Sequence, residues 1–289
     1  MEGDLVFGEY TQAELDSQYD NRAAVPSVDD IVARCEAMSD SVRAKYDHSL
    51  DIPYGPSDME KLDIIRPANS GGAPVNVFIH GGFWMRRDKN DYGFIAEPFT
   101  KNGAITVIVN YALIPSVDLD EVVRQCRAAI AWVHGNIAEH GGDPNKIFVS
   151  GNSAGGHLVA MLMATDWLSY GGLPKDTLKG GVALSGIYGL LPIQKCFIND
   201  ILNLSDGEVE RNSPLNLSPA TNAPIIFAVG GIETDEFKRH TREITEDWEK
   251  KGGSCHFLES SGKHHFSIVD DFVDPESNLC KAALNMMGL

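Results

Sequence analysis

The segment Ile147–Leu158, IFVSGNSAGGHL, constrains this chain more than any other. Ile147, Phe148 and Val149 are β-branched or aromatic and read as a buried strand. His157–Met163 reads as a helix. Between them, Gly151-Asn152-Ser153-Ala154-Gly155 fits G-x-S-x-G, the strained strand-to-helix turn that lifts a serine oxygen off a sheet edge. A side chain at either glycine should crowd the neighbouring strand or helix. The same letters could serve as an ordinary glycine-rich turn. The chemical reading therefore needs a base, an acid and oxyanion donors elsewhere.

The rest of the chain supplies a matching frame. Strands are expected at Leu62–Ile65, Val75–Ile79, Ile105–Val109, Gly181–Leu184, Ile225–Val229 and Cys255–Leu258. Helices are expected near Thr11–Gln18, Val28–Tyr46, Tyr92–Asn102, Val117–His134 and Phe237–Lys251. In Val117–His134 the apolar face is Val122, Val123, Cys126, Ala129, Ile130 and Val133. Alternation of this kind implies a mostly parallel sheet covered on both faces, with chemistry beyond the carboxyl ends of the strands. The 289 residues are 43% hydrophobic and 22% charged, which suits one α/β domain over residues 1–289. Residues 1–58 are expected to be a helical segment packed on it, and the irregular stretch 187–219 is a candidate small cap.

A net charge of −17 argues against nucleic acid and anionic membranes as partners and leaves a small molecule. A homodimer is left open. Met1-Glu2-Gly3-Asp4 lacks an apolar signal-peptide region, and no run reaches membrane-spanning length. Cys35, Cys126, Cys196, Cys255 and Cys280 are scattered, as reduced thiols in a cytoplasmic protein would be.

Candidate partners for Ser153 follow the expected strands. After Val75–Ile79 comes His80-Gly81-Gly82-Phe83-Trp84, whose glycines let backbone N–H groups converge on one point. After Cys255–Leu258 comes SSGKHHFSIVDDF, with His264 and His265 adjacent. Metal binding by this pair finds no third ligand at zinc-like spacing. His134, His140 and His240 read as surface or helix histidines, and His157 as packed in the elbow helix. After Ile225–Val229 comes GGIETDEF, offering Glu233, Asp235 and Glu236 as the acid that orients the imidazole. Acids in a first helical turn have a separate reason to exist, since they complement the helix dipole.

Together these segments resemble the α/β-hydrolase superfamily, in its H-G-G branch of carboxylesterases and lipases, and within it the arylformamidase (kynurenine formamidase-like) group. AELDSQYDNRAAVP, HGGFW, VNYALIP, SGNSAGGHL, GGIETDEF and HFSIVDDF carry the resemblance in order, from about Tyr10 to Asp271. The order serine, acid, histidine is the one this fold uses. The resemblance implies Ser153 as nucleophile, His265 as base and Glu233 as acid, with Asp235 the alternative. It implies an oxyanion hole of Gly82, Phe83 and Ala154 N–H groups, and neither cofactor nor metal. Asn152 departs from the histidine often found there. The implied substrate is a small ester or an aryl formamide such as N-formylkynurenine. A general short-chain carboxylesterase, amidase or carbamate hydrolase is the alternative, and a non-catalytic binding protein a more distant one. Phe83, Trp84 and Tyr188 are candidates to line the substrate pocket and equally candidates for the core.

Overall fold

The computed structural model describes residues 4–25 and 27–289. Its centre is an eight-stranded sheet: β1 (Asp47–Pro53), β2 (Lys61–Arg66), β3 (Ala73–Ile79), β4 (Ile105–Val109), β5 (Gly142–Asn152), β6 (Leu178–Leu184), β7 (Ile225–Gly230) and β8 (Cys255–Ser260). The spatial order is β1-β2-β4-β3-β5-β6-β7-β8. Strand β2 runs antiparallel to both its neighbours, and β4 through β8 pair in parallel. The central strands are buried on both faces, which is why they read as near-continuous apolar runs.

Register decides where the loops meet. Ile79 pairs with Gly151, Asn152 with Leu184, Leu184 with Ala228, and Gly230 with Ser260. The carboxyl ends of β3, β5, β6, β7 and β8 therefore open onto one edge. The strand order reverses beside β5, the crevice position where sheets of this kind hold ligands.

Helices cover both faces. They include α1 (Gln12–Tyr19), α2 (Val28–Lys45), α3 (Leu119–Asn136), α4 (Ala154–Met163), α5 (Asp235–Lys250), α6 (Ile268–Val273) and α7 (Asn278–Met287). The apolar face expected for α3 is buried at all six positions, and all ten residues of α4 are buried. No helix among the described residues is long and apolar enough to cross a membrane.

Two expectations change. Residues 1–58 are not wholly helical, because Asp47–Pro53 adds the outer strand β1. That strand is exposed along most of its length, so its sequence lacks the apolar signal of the inner strands. Residues 187–219 form three short α-helices and one 3-10 turn. The C-terminal α6 and α7, both with buried apolar faces, lie beyond the last expected strand.

One buried ion pair ties the antiparallel margin to the loop that leaves β3. The Lys89 side chain is buried, with Nζ 2.8 Å from Asp63 on β2 and 2.8 Å from Asp51 on β1. Burial alone would lower the lysine pKa, but the two carboxylates outweigh it and hold the pKa raised. Asp63 is equally buried. Replacing Lys89 by Met should leave that carboxylate without its cation and cost about 3–5 kcal/mol of unfolding free energy in a urea titration. A loss below about 1 kcal/mol would show that the pair holds nothing together.

Candidate active site

Ser153 sits at φ 57°, ψ −119° between β5 and α4, a strained position for a residue with a side chain. The flanking glycines are required by space. A Cβ on Gly155 would stand 2.0 Å from the Ile79 carbonyl oxygen, and one on Gly151 would stand 2.5 Å from that of Gly155. The backbone is fixed from both sides: Ser153 N–H donates to the Leu184 carbonyl at 2.7 Å, and His157 N–H donates to the Ser153 carbonyl at 3.1 Å.

Loops from β7 and β8 complete a hydrogen-bond chain. His265 Nε2 lies 2.9 Å from Ser153 Oγ, and its Nδ1 lies 2.7 Å from Glu233 Oε2. Since the carboxylate only accepts, Nδ1 carries the hydrogen and Nε2 is free to receive the serine proton. The Glu233 side chain has no exposed surface. Asp235, by contrast, is exposed in the first turn of α5, and Glu236 is bound to Arg239 and Tyr19. Of the three acids, only Glu233 reaches the histidine among the described residues.

The neighbouring His264 turns elsewhere. Its Nδ1 accepts the backbone N–H groups of Phe266 and Ser267, each at 3.2 Å, so it caps the turn that presents His265. Three more histidines are fully buried structural groups. His80 stacks on Tyr111 at 4.2 Å with rings 9° apart, and burial pushes its pKa down to about 4. His157 is likewise held at about 4 by burial. Trp84 Nε1–H donates to its Nδ1 at 3.2 Å, so Nε2–H donates to the Asn212 carbonyl at 2.7 Å. His240 is in a helix, as expected, but is buried against Tyr19 rather than at the surface.

The loop after β3 lies over the serine. Gly82 has φ 113°, and a Cβ there would stand 2.2 Å from the Arg86 carbonyl oxygen. Phe83 and Trp84 follow at φ 49° and 55°. Gly82, Phe83 and Ser153 border one cavity of about 220 Å³ together with His265. Ala154, next in sequence, begins α4, where the backbone N–H groups of a helix's first turn lack partners within the helix.

The two pocket candidates beyond Phe83 belong instead to the core. Trp84 is fully buried edge-on to His157. Tyr188 is fully buried against Phe227, with ring centroids 5.1 Å apart. Neither borders the cavity. The N-terminal segment adds a second wall beside the loop after β3, through Tyr19, Arg22, Ile31, Val32 and Cys35, while residues 187–219 add only Phe197 and Ile198. Sequence reasoning missed this wall, because nothing in α1 or α2 marks which face turns towards a distant serine. It also missed Ser185, whose Oγ donates to Glu233 Oε1 at 2.5 Å.

Known proteins resemble this chain in sequence and fold. The family model BD-FAE matches residues 62–169. A kynurenine formamidase of Danio rerio is 33% identical over 288 residues, covering 95% of this chain and 96% of that protein. A kynurenine formamidase of Salmo salar is 33% identical over 83% of this chain and 82% of that protein. A crystal structure from Silicibacter sp. TM1040, which carries a provisional thioesterase name, superposes with a TM-score of 0.81 at 27% identity, covering 93% of this chain and 98% of that one. An esterase of Pyrobaculum calidifontis shares the fold at a TM-score of 0.70 and 17% identity, covering 96% and 95%. With near-full-length similarity, the strand order and a serine on the elbow in agreement, the chain belongs to the kynurenine formamidase family of α/β-hydrolases and is a hydrolase.

Proposed function

We propose that this hydrolase cleaves an aryl formamide, with Ser153 as nucleophile, His265 as general base and acid, and Glu233 as the carboxylate that orients it. The observation that carries this reading is the unbroken hydrogen-bond chain from Ser153 Oγ through His265 to Glu233, opening on the cavity. Ser153 Oγ attacks the formyl carbon while its proton passes to His265 Nε2. The carbonyl oxygen becomes an oxyanion facing the N–H groups of Gly82, Phe83 and Ala154. When the C–N bond breaks, His265 returns the proton to the departing amine, leaving formyl-Ser153. Water, deprotonated by His265, attacks that ester. Formate leaves and Ser153 is regenerated.

The shape of the cavity supports a small, partly aromatic substrate. About 220 Å³ is below the roughly 300–1,000 Å³ of sites for drug-sized ligands. A formyl group needs almost no acyl pocket, so the space serves the leaving group. Phe83, Phe94, Phe197 and Phe266 give it aromatic walls, and Arg22, Arg87 and Asp91 stand among its charged lining. A leaving group such as kynurenine, with an aryl ring and a charged amino-acid end, matches both kinds of lining. The two formamidase relatives support the same substrate class. Five cysteines without a disulfide support a reducing compartment such as the cytoplasm.

A short-chain carboxylesterase is the second reading, favoured by the esterase neighbours in the fold. Steady-state turnover of N-formylkynurenine against p-nitrophenyl acetate and butyrate separates the two. Formamide turnover is expected. Ester turnover with no formamide turnover would put the second reading in place of the first.

Ser153→Ala should fold normally by circular dichroism and lose about 10⁶ in kcat. A variant keeping even about a tenth of the parent rate would remove Ser153 from the mechanism.

The adjacent histidines give a paired test. His265→Gln should be nearly inactive, whereas His264→Gln should lose a few-fold at most, through a looser turn. The reverse pattern in kcat/KM would transfer the base to His264. For the acid, Glu233→Gln should cost about 10⁴ in kcat, as a carboxylate-to-amide change does in the serine-protease triad, with Asp235→Asn close to the parent.

A further inference from the structure

The acid arm carries a hydroxyl that this mechanism does not use. Ser185 directly follows Leu184, the last residue of β6, and is fully buried. Its Oγ stands 2.5 Å from Glu233 Oε1. An ionised carboxylate offers no hydrogen, so the serine donates. The same oxygen accepts the Gly230 N–H at 2.6 Å, while Oε2 faces His265. A buried carboxylate is costly to ionise unless donors surround it. Among the described residues, no lysine or arginine forms an ion pair with Glu233; its one such partner is His265.

Two further features mark the position. Glutamate is one methylene longer than aspartate, and its terminal torsion has a broad, soft profile. A carboxylate on such an arm needs its far oxygen pinned if the near one is to stay on the imidazole. Ser185 also adopts φ 49°, with its own N–H donating to the Ala228 carbonyl at 2.7 Å. Glycine would occupy that left-handed conformation without strain. The chain nevertheless holds a serine there, and the hydroxyl is what glycine would lack.

We propose that Ser185 is a positioning residue of the hydrolytic reaction, whose hydroxyl pins Glu233 Oε1 so that Oε2 remains on His265 Nδ1. This rests on the reading of Ser153, His265 and Glu233 as the catalytic triad. Loss of the hydroxyl leaves Oε1 with the Gly230 N–H alone. The carboxylate can then turn about its soft terminal torsion and lose its aim on Nδ1. Ser185 does not border the cavity, so substrate binding is left alone.

The test uses Ser185→Gly and Ser185→Ala, Glu233→Gln, and the double variant S185G/E233Q, with kcat, KM and urea stability measured for each. Ser185→Gly is expected to lose roughly 10- to 100-fold in kcat, the scale of one hydrogen bond to a charged group. KM should hold, so that the loss falls on kcat alone. Urea stability separates this from a general loosening of the fold, because glycine relieves the left-handed strain. In the Glu233→Gln background the same change should cost almost nothing more, since the group it acts through is gone. An unchanged kcat in Ser185→Gly, or an undiminished cost in the double variant, would overturn the role of Ser185. Ser185→Ala is judged by the same kinetic criteria should the glycine variant fail to fold. If Glu233→Gln itself keeps near-parent activity, the triad reading falls and this inference with it. A crippled Glu233→Gln beside an unaffected Ser185→Gly removes Ser185 alone.

Discussion

A serine held at φ 57° and ψ −119° is the constraint on which the rest of this structure depends. Such a conformation costs about 1–3 kcal/mol and persists only where the surroundings over-determine it. Here they do. The Ser153 N–H is bound to the end of β6, and its carbonyl to the first turn of α4. The glycine at 155 brings the helix against β3 at a distance no side chain would permit. Helix α4 is buried at every residue, so it cannot swing away to relax the turn. The strain is offset by the packing of the sheet's central strands, and the serine oxygen is raised clear of the edge as a result.

Strain elsewhere follows the same edge. Among the described residues, seven non-glycine positions have positive φ: Asp51, Phe83, Trp84, Arg87, Ser153, Ser185 and Asn203. Five of these lie just beyond the carboxyl ends of β3, β5 and β6, where the loops must crowd around one point. Trp84 is locked by the indole–His157–Asn212 relay, which also joins the loop after β3 to the helix of the elbow. The far end of that loop is anchored by Lys89 and by Asn110, whose side chain accepts from the Lys89 N–H and donates to Asp88. The loop over Ser153 is thus clamped at both ends, as the proposed oxyanion donors would require.

Much of this was legible in the sequence, and what was not has physical reasons. The inner strands and the buried face of α3 are written in apolar periodicity, because both sides of the sheet are covered. Glu233 and Asp235 could be told apart in part by helix-dipole logic, and the structure leaves Asp235 at the exposed start of α5. Strand β1 was invisible because an edge strand exposed to water needs no apolar run. Trp84 and Tyr188 were ambiguous because a large aromatic suits a pocket wall and a core equally well. The cover from α1 and α2 was hidden for a different reason. Its contacts with the site span more than a hundred residues of sequence, and no local pattern encodes them.

Histidine shows how the fold assigns one residue type to several tasks. Protonation of His80 or His157 is disfavoured by full burial, and each uses its ring to hold a loop. His264 spends its Nδ1 on two backbone N–H groups. Among the described residues, only His265 has one nitrogen on a carboxylate and the other on a hydroxyl at the cavity wall. In the proposed mechanism the imidazolium forms there, against the buried Glu233 carboxylate. At His80 and His157 burial penalises the same charge. That selectivity comes from where the strands end and which side chains their loops turn inward, since the imidazole itself is the same at every position.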